Sequence, residues 1–203
     1  MNRFGITGAH KSGKTTLAKA VAKRWDMKYI DANLSSVLRA FGVSPNEEVP
    51  FAKRLEVQQN MVSHLINLLH EADENFITDR TFLDIAGYTL SYMPHTVSDI
   101  ESATVKMIID QCYRAQAAFY DRTVILGNSF EVPIGLESSS EKANFNWAWN
   151  FQLQVIIKGL VLTSANKTPV TFIPDTHSSI ASRIDKMETI IGEAQRDAAG
   201  VFH

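Results

Sequence analysis

Eight residues near the start of the chain, GAHKSGKT from Gly8 to Thr15, restrict what it can fold into more than any other segment. They follow the short apolar strand signal RFGIT (3–7). A helix signal from Ser12 to Arg24 comes next, with Leu17, Ala18, Val21 and Ala22 on one face. A G-x-x-x-x-G-K-T turn between strand and helix brings together backbone N–H groups that have no intrahelical partner and the positive end of the helix dipole. A polyphosphate suits that place. Gly8 allows a tight turn out of the strand, and Gly13 lets backbone approach a phosphate without a Cβ in the way. Lys14 supplies a charge for the β- and γ-phosphates, and the Thr15 hydroxyl can ligate Mg²⁺. With Ala9, His10, Lys11, Ser12 and Thr16, these residues are expected to form a nucleotide-binding loop. From average residue usage, chance alone produces the pattern in a chain of this length on the order of once in a hundred.

Beyond the loop, strand and helix signals alternate. MKYID (27–31) and NFITD (75–79) read as the second and third strands, and TVILG (123–127) and VTFI (170–173) as the fourth and fifth. Helices are expected over Phe51 to Asp73, from the Ser98-x-x-Glu101 capping box to about Phe119, and from about His177 to Ala199. Short apolar strands separated by helices predict an α/β fold: a five-stranded parallel sheet with helices on both faces. No repeat, linker or low-complexity segment divides the 203 residues, so one domain over 1–203 is expected.

The stretch from Asn128 to Gln154 is ambiguous. Ser138-x-x-Glu141 reads as a capping box opening a helix to about Leu162, and Trp147, Phe151 and Val155 fit its spacing. FNWAWNFQLQV also alternates apolar and polar residues with the period of a strand.

Composition narrows the class without naming a reaction. At 45% apolar and 21% charged, with a net charge of −2, the chain has no global pull toward nucleic acid or anionic membranes. One cysteine, Cys112, excludes an internal disulfide, and its helical apolar face predicts burial. The apolar opening runs straight into the glycine loop, unlike a signal peptide, and no segment approaches a membrane span. These features predict a cytosolic protein, or a viral one working in a host cytosol. His64 and His70 share a helix at a spacing that suits no metal pair, and no zinc or iron site is readable.

The next chemical clue is TDRTFLD, Thr78 to Asp84. An Asp at the carboxyl end of an apolar strand can hold Mg²⁺ or accept a proton, and an Arg beside it can neutralise phosphate charge during transfer. A strand-end turn with a surface ion pair is the other reading of Asp79-Arg80.

GITGAHKSGKTTLA followed by a strand ending in Asp-Arg resembles the small P-loop nucleoside and nucleotide kinases, which include thymidylate and deoxynucleoside kinases. The spacing of QQNMVSHLINLLHEADENFITDRTFLDIAGYTLSY, with YDRTVILGNSFEVP and SSIASRIDKMETII, is similar to a nearer branch, the nicotinamide-riboside-kinase-like proteins of bacteria and their phages. The resemblance covers nearly the whole chain, but only the phosphate loop is highly specific.

The resemblance implies a three-layer P-loop NTPase fold with a lid segment, here about 128–154. It also implies ATP as donor, held by Lys14, Thr15 and the loop amides, with Asp79 and Arg80 facing the transferred phosphate and the metal. An acid at the end of the second strand often serves as base in these kinases. Asp31 stands there, and a helix N-cap is its equal alternative. Which of Asp31 and Asp79 is the base stays open. Arg39 could contact the acceptor or be a solvated helix arginine. Arg183 could stack on the donor adenine or lie on a helix face.

One departure matters. The family's lid usually bears arginines, whereas VPIGLESSSEKANFNWAWNFQLQ has none and a single lysine, Lys142. Either Lys142 substitutes as a point charge, or Arg80 and Arg183 serve instead, or the lid has another task. Its aromatics and amides, Trp147 among them, could grip an exposed base, since some related phage kinases act on a hydroxymethylated thymine within DNA. Packing of a helix onto the sheet is the plainer account.

The expected activity is therefore transfer of the ATP γ-phosphate to a nucleoside or nucleotide. A modified pyrimidine base in DNA is an alternative acceptor, and a nucleotide-dependent switch ATPase is an alternative of another class. A homodimer is an assembly open to such a chain.

Overall fold

A computed structural model describes residues 2–44, 47–72, 75–127, 146–163, 166–177 and 179–198. Five parallel strands stand in the order β2-β3-β1-β4-β5. They are β1 (Asn2–Thr7), β2 (Lys28–Ile30), β3 (Asn75–Thr78), β4 (Arg122–Leu126) and β5 (Val170–Ile173). Seven helices are seen among the described residues: α1 (Lys14–Arg24), α2 (Leu34–Ala40), α3 (Phe51–His70), α4 (Phe82–Ser91), α5 (Asp99–Phe119), α6 (Trp147–Leu162) and α7 (Ile180–Ala198).

The strands are apolar on both faces because helices cover both. Phe4, Ile6, Ile77, Val124, Leu126 and Ile173 meet Leu17, Ala18 and Val21 of α1 and Met187, Ile190 and Ile191 of α7. Phe76 on the opposite face joins the larger core built by α3, α4 and α5, where Cys112 is fully buried. The α/β class, the parallel sheet and all five strands therefore stand as the sequence predicts, with end points shifted by a residue or two. Among the described residues no helix is long and apolar enough to cross a membrane.

One helix differs from expectation. The segment FLDIAGYTLS, for which no helix is expected above, forms α4. It is nearly all buried, from Phe82 through Gly87, so it has few polar positions to reveal the helical repeat. Its N-terminus is closed by a reciprocal cap: Leu83 N donates to Thr81 Oγ1 (3.2 Å) and Thr81 N to Asp84 Oδ2 (2.8 Å). The signature is hard to see because aspartate replaces the usual Glu or Gln.

In the ambiguous stretch the helix prevails over the strand. Asn146 caps α6 by accepting from Trp149 N at 3.1 Å, and Asn150, Leu153, Gln154 and Ile157 are buried along one face. The Ser138 and Glu141 box lies outside the described residues.

The α5 box predicted at Ser98 and Glu101 is also present, and it is exposed. The two boxes allow a direct comparison. Thr81→Ala should cost about 1–2 kcal/mol, lowering Tm by about 2–8 °C. Ser98→Ala, whose orphaned groups stay in water, should cost visibly less. Thermal unfolding of both variants checks this, and equal losses would show that burial does not strengthen the α4 cap.

Candidate active site

The chain runs to one side of β1 for β2 and β3 and to the other for β4 and β5. The crevice beyond the carboxyl end of β1 is thus a topological switch point, the place where such sheets take ligands. Three turns meet there: the phosphate loop after β1, Asp79-Arg80 after β3, and Gly127 after β4.

The loop is held in left-handed backbone at Lys11 (φ 57°) and Gly13 (φ 86°), with Gly8 at φ 143°. A Cβ on Gly8 would lie 2.9 Å from Leu126 O, and one on Gly13 would lie 2.9 Å from Arg183 Nη1. Both glycines are therefore demanded by conformation and by close approach. Gly13 then caps α1, whose first residue is Lys14. The Lys14 ammonium lies inside the loop, donating to Gly8 O (2.8 Å) and Ala9 O (2.7 Å). Burial, and then the charge of Arg80, lower its pKa to about 7, with Asp84 and Asp79 acting in the opposite sense.

Residues far along the chain brace this loop. Ala9 N donates to Gln154 Oε1 (2.9 Å) and His10 N to Asn150 Oδ1 (3.0 Å). Gln154 Nε2 in turn donates to Leu126 O at 3.0 Å, tying loop, helix and β4 together. From the other side Arg183 Nη1 donates to Ser12 O (2.5 Å) while its Nε donates to His177 O (2.7 Å). Arg183 is nearly buried, so its guanidinium serves the loop carbonyl and is not laid open as a platform.

The turn after β3 is equally anchored. Arg80 O accepts from Thr78 Oγ1 (2.7 Å) and from the Tyr120 hydroxyl (3.2 Å). Asp79 then faces α1: its Oδ2 accepts from Thr15 Oγ1 at 2.5 Å and from the Tyr29 hydroxyl at 2.9 Å. Its Oδ1 is buried with no hydrogen-bond partner among the described residues. A bare carboxylate oxygen beside a hydroxyl at a phosphate loop is a hard-oxygen donor set that fits Mg²⁺. The Arg80 guanidinium donates through Nη1 to Asp84 Oδ1 (3.3 Å) and the Tyr88 hydroxyl (3.4 Å). Burial disfavours the Arg80 charge, but Tyr88 and Asp84 outweigh that and hold it more firmly protonated than usual.

The His10 ring leaves the loop for an aromatic cluster. It stacks on Trp149 (centroids 5.7 Å apart), meets Tyr88 edge-on, and places Nε2 2.6 Å from the Tyr88 hydroxyl. Burial, then Arg80, Lys14 and Lys11, drive its pKa well below 6.5, so the ring is neutral at neutral pH.

The other expected site residues are more dispersed. Thr16 is exposed on the first turn of α1. Asp31 is exposed after β2, where its Oδ1 accepts from Asn33 N (2.9 Å), so the residue standing at the N-cap position of α2 is Asn33. Arg39 is exposed in the last turn of α2. Trp147 opens α6, half exposed and stacked on Phe151 with centroids 5.4 Å apart. Lys142 lies outside the described residues.

Sequence reasoning missed Tyr29, Asp84 and Tyr88, took Asn150 only as one of the lid's amides, and missed Gln154. Only the last two left a trace, as amides at i and i+4 on an otherwise apolar helix face.

A family profile described as "AAA domain" matches residues 3–142. No curated protein sequence matches the chain. Among solved structures, deoxyadenosine kinase from M. mycoides with bound dATP superposes with a TM-score of 0.68 at 15% identity, covering 93% of this chain and 100% of that one. Thymidylate kinase from Candida albicans gives 0.66 at 12% identity, over 96% of this chain and 92% of that one. NadR protein in complex with NR gives 0.63 at 12% identity, over 100% of this chain and 52% of the longer protein. At such identities the likeness speaks for the fold. The profile spans more than half of the chain, which therefore belongs to this AAA-domain family and is built on the fold of the P-loop nucleoside and nucleotide kinases.

Proposed function

We propose that the chain is a phosphotransferase that moves the γ-phosphate of ATP to a hydroxyl or phosphate of a nucleoside-type acceptor. The observation that carries this reading is the meeting of Thr15, Asp79 and Arg80 at the phosphate loop, with Asp79 Oδ1 buried and without a hydrogen-bond partner among the described residues. Backbone N–H groups after His10 and the Lys14 ammonium would hold the donor phosphates, since the N–H groups of Ala9 and His10 are already committed. Thr15 and Asp79 would hold Mg²⁺, which would supply positive charge to offset that of the phosphates. Arg80, kept charged beside Asp84, would face the transferring group, so the chain's contribution is positioning and electrostatics. Asp31, exposed at the carboxyl end of β2, would accept the proton of the acceptor hydroxyl. Arg183 would border the donor through its contact over Gly13.

A second acceptor class has one observation in its favour. Trp147 and Phe151 form a near-parallel, half-exposed pair at the start of α6, a surface on which a base within DNA could stack. A small nucleoside-type acceptor remains the preferred reading, because the resemblance to small-molecule kinases extends along nearly the whole chain. An AAA-domain match does not separate transfer from hydrolysis, so a switch ATPase is the contrasting class.

Labelled γ-phosphate should appear on a nucleoside, a nucleoside monophosphate or nicotinamide riboside when the protein is incubated with ATP and Mg²⁺, and Lys14→Ala should reduce transfer by about a hundredfold or more. Label only on DNA bearing hydroxymethylated thymine would move the acceptor to a DNA base. Phosphate release without any labelled acceptor would sink the phosphotransferase reading in favour of a switch.

The pH dependence is a separate expectation. In the free protein Lys14 loses its proton as pH rises through about 7, whereas bound phosphate requires the ammonium. ATP binding above that pH must therefore take up a proton, and affinity should fall by up to about tenfold per pH unit. Calorimetric titration in buffers of different ionisation heat should show uptake of about one proton at about pH 8 and little at about pH 6. Equal proton uptake at both would contradict the lowered Lys14 pKa.

A further inference from the structure

The buried Asp79 carboxylate has an asymmetric set of partners. Both of its recorded hydrogen bonds fall on Oδ2, one from Thr15 Oγ1 on α1 and one from the Tyr29 hydroxyl on β2, while Oδ1 has none among the described residues. A carboxylate rotates easily about its last bond, because that torsion is broad and roughly two-fold. Nothing in the Asp79 side chain itself decides which oxygen faces the site. The two donors decide it.

Tyr29 is well placed to be one of them. Its partner across the sheet is Ile77 of β3, two residues before Asp79, so the long side chain runs past the end of β3 and sets its hydroxyl at the carboxylate. The ring is half-buried against the α1 side of the core, and the Lys19 ammonium of α1 lies 5.3 Å from its centroid. The phenol is therefore fixed at both ends: by packing along the ring and by Asp79 at the tip.

We propose that Tyr29 is a positioning residue for the metal site: by occupying Asp79 Oδ2 together with Thr15, it leaves Oδ1 as the oxygen offered to a divalent cation at the phosphate loop. This rests on the phosphotransferase reading for the role of the cation, but not for the geometry. Outer partners of this kind set the orientation and basicity of a metal-ligating group without touching the metal. Tyr29 makes no claim to the substrate.

Tyr29→Phe keeps the ring and its packing and deletes one hydrogen bond. In the full-length protein with ADP, Mn²⁺ affinity followed by electron paramagnetic resonance should weaken by about tenfold. ADP affinity without metal should stay within about twofold and Tm within a few degrees, because the loop that holds phosphate is untouched. In transfer assays kcat should fall by about tenfold with the KM for ATP little changed, and more Mg²⁺ should be needed for half-maximal rate. In an Asp79→Asn background, Tyr29→Phe should have no further effect on Mn²⁺ affinity, since the two act as one unit.

Mn²⁺ affinity in Tyr29→Phe equal to that of the parent protein would overturn the proposal and leave the phenol as packing alone. So would Mn²⁺ affinity that survives Asp79→Asn. Failure of the parent protein to transfer phosphate to any acceptor would remove the phosphotransferase reading instead, and the Mn²⁺ arm would still decide the role of Tyr29.

Discussion

The N–H groups of Ala9 and His10 end in buried side-chain carbonyls on α6, and the shape of the phosphate loop depends on them. A loop with left-handed backbone at Lys11 and Gly13 is not one that a free peptide would keep. It persists because contacts on both flanks specify it: Asn150 and Gln154 from α6, Arg183 from α7, and Lys14 from within. Each of these groups is almost wholly out of water, so losing one partner would strand a polar group at a cost of about 1–3 kcal/mol. The rest of the site builds on this fixed loop. Thr15 can reach Asp79 only because Gly13 starts α1 at the right angle.

Charge is arranged with similar economy. Lys14 and Arg80 are two cations in one crevice, and after burial the Arg80 charge helps to lower the Lys14 pKa. Asp84 relieves this while also closing the N-terminus of α4, so one buried carboxylate fixes both a helix and an arginine. The reason is physical: a buried acid that is wholly enclosed must satisfy both oxygens, and here one goes to backbone and one to guanidinium. Arg80 is therefore already oriented by its own element before any ligand arrives.

What could be read from the residues alone follows from the range of the interactions involved. Strand and helix order, the loop, the α5 cap and the buried Cys112 are local or periodic properties, and they were legible in a pass along the chain. Helix α4 was hidden because its ten residues are mostly apolar and mostly buried, leaving few polar positions to mark an outer face. What Tyr29, Asn150 and Gln154 do was hidden for a different reason. Each earns its place by meeting a residue many positions away, such as Gln154 with Ala9 across 145 residues, and no local rule records such a meeting. Asp79 and Arg80 were legible as a pair, whereas the partners that orient them, Tyr29 on one side and Asp84 with Tyr88 on the other, became visible only in three dimensions.

The brace on the phosphate loop also has a consequence in time. The loop's own residues are made before the residues that brace it, for its ties run forward by 140 residues to Asn150 and by 171 to Arg183. Its central strand likewise pairs with β3 and β4, which come much later in synthesis. Such distant pairings close slowly, because the loop entropy must be met before the contacts reward it. A nascent or half-folded chain therefore has the glycine-rich motif in its sequence without the cradle in space. Under the proposed function, a nucleotide that needs this cradle would bind only the finished form, and so would act as a late-stage ligand that draws the chain through its last step.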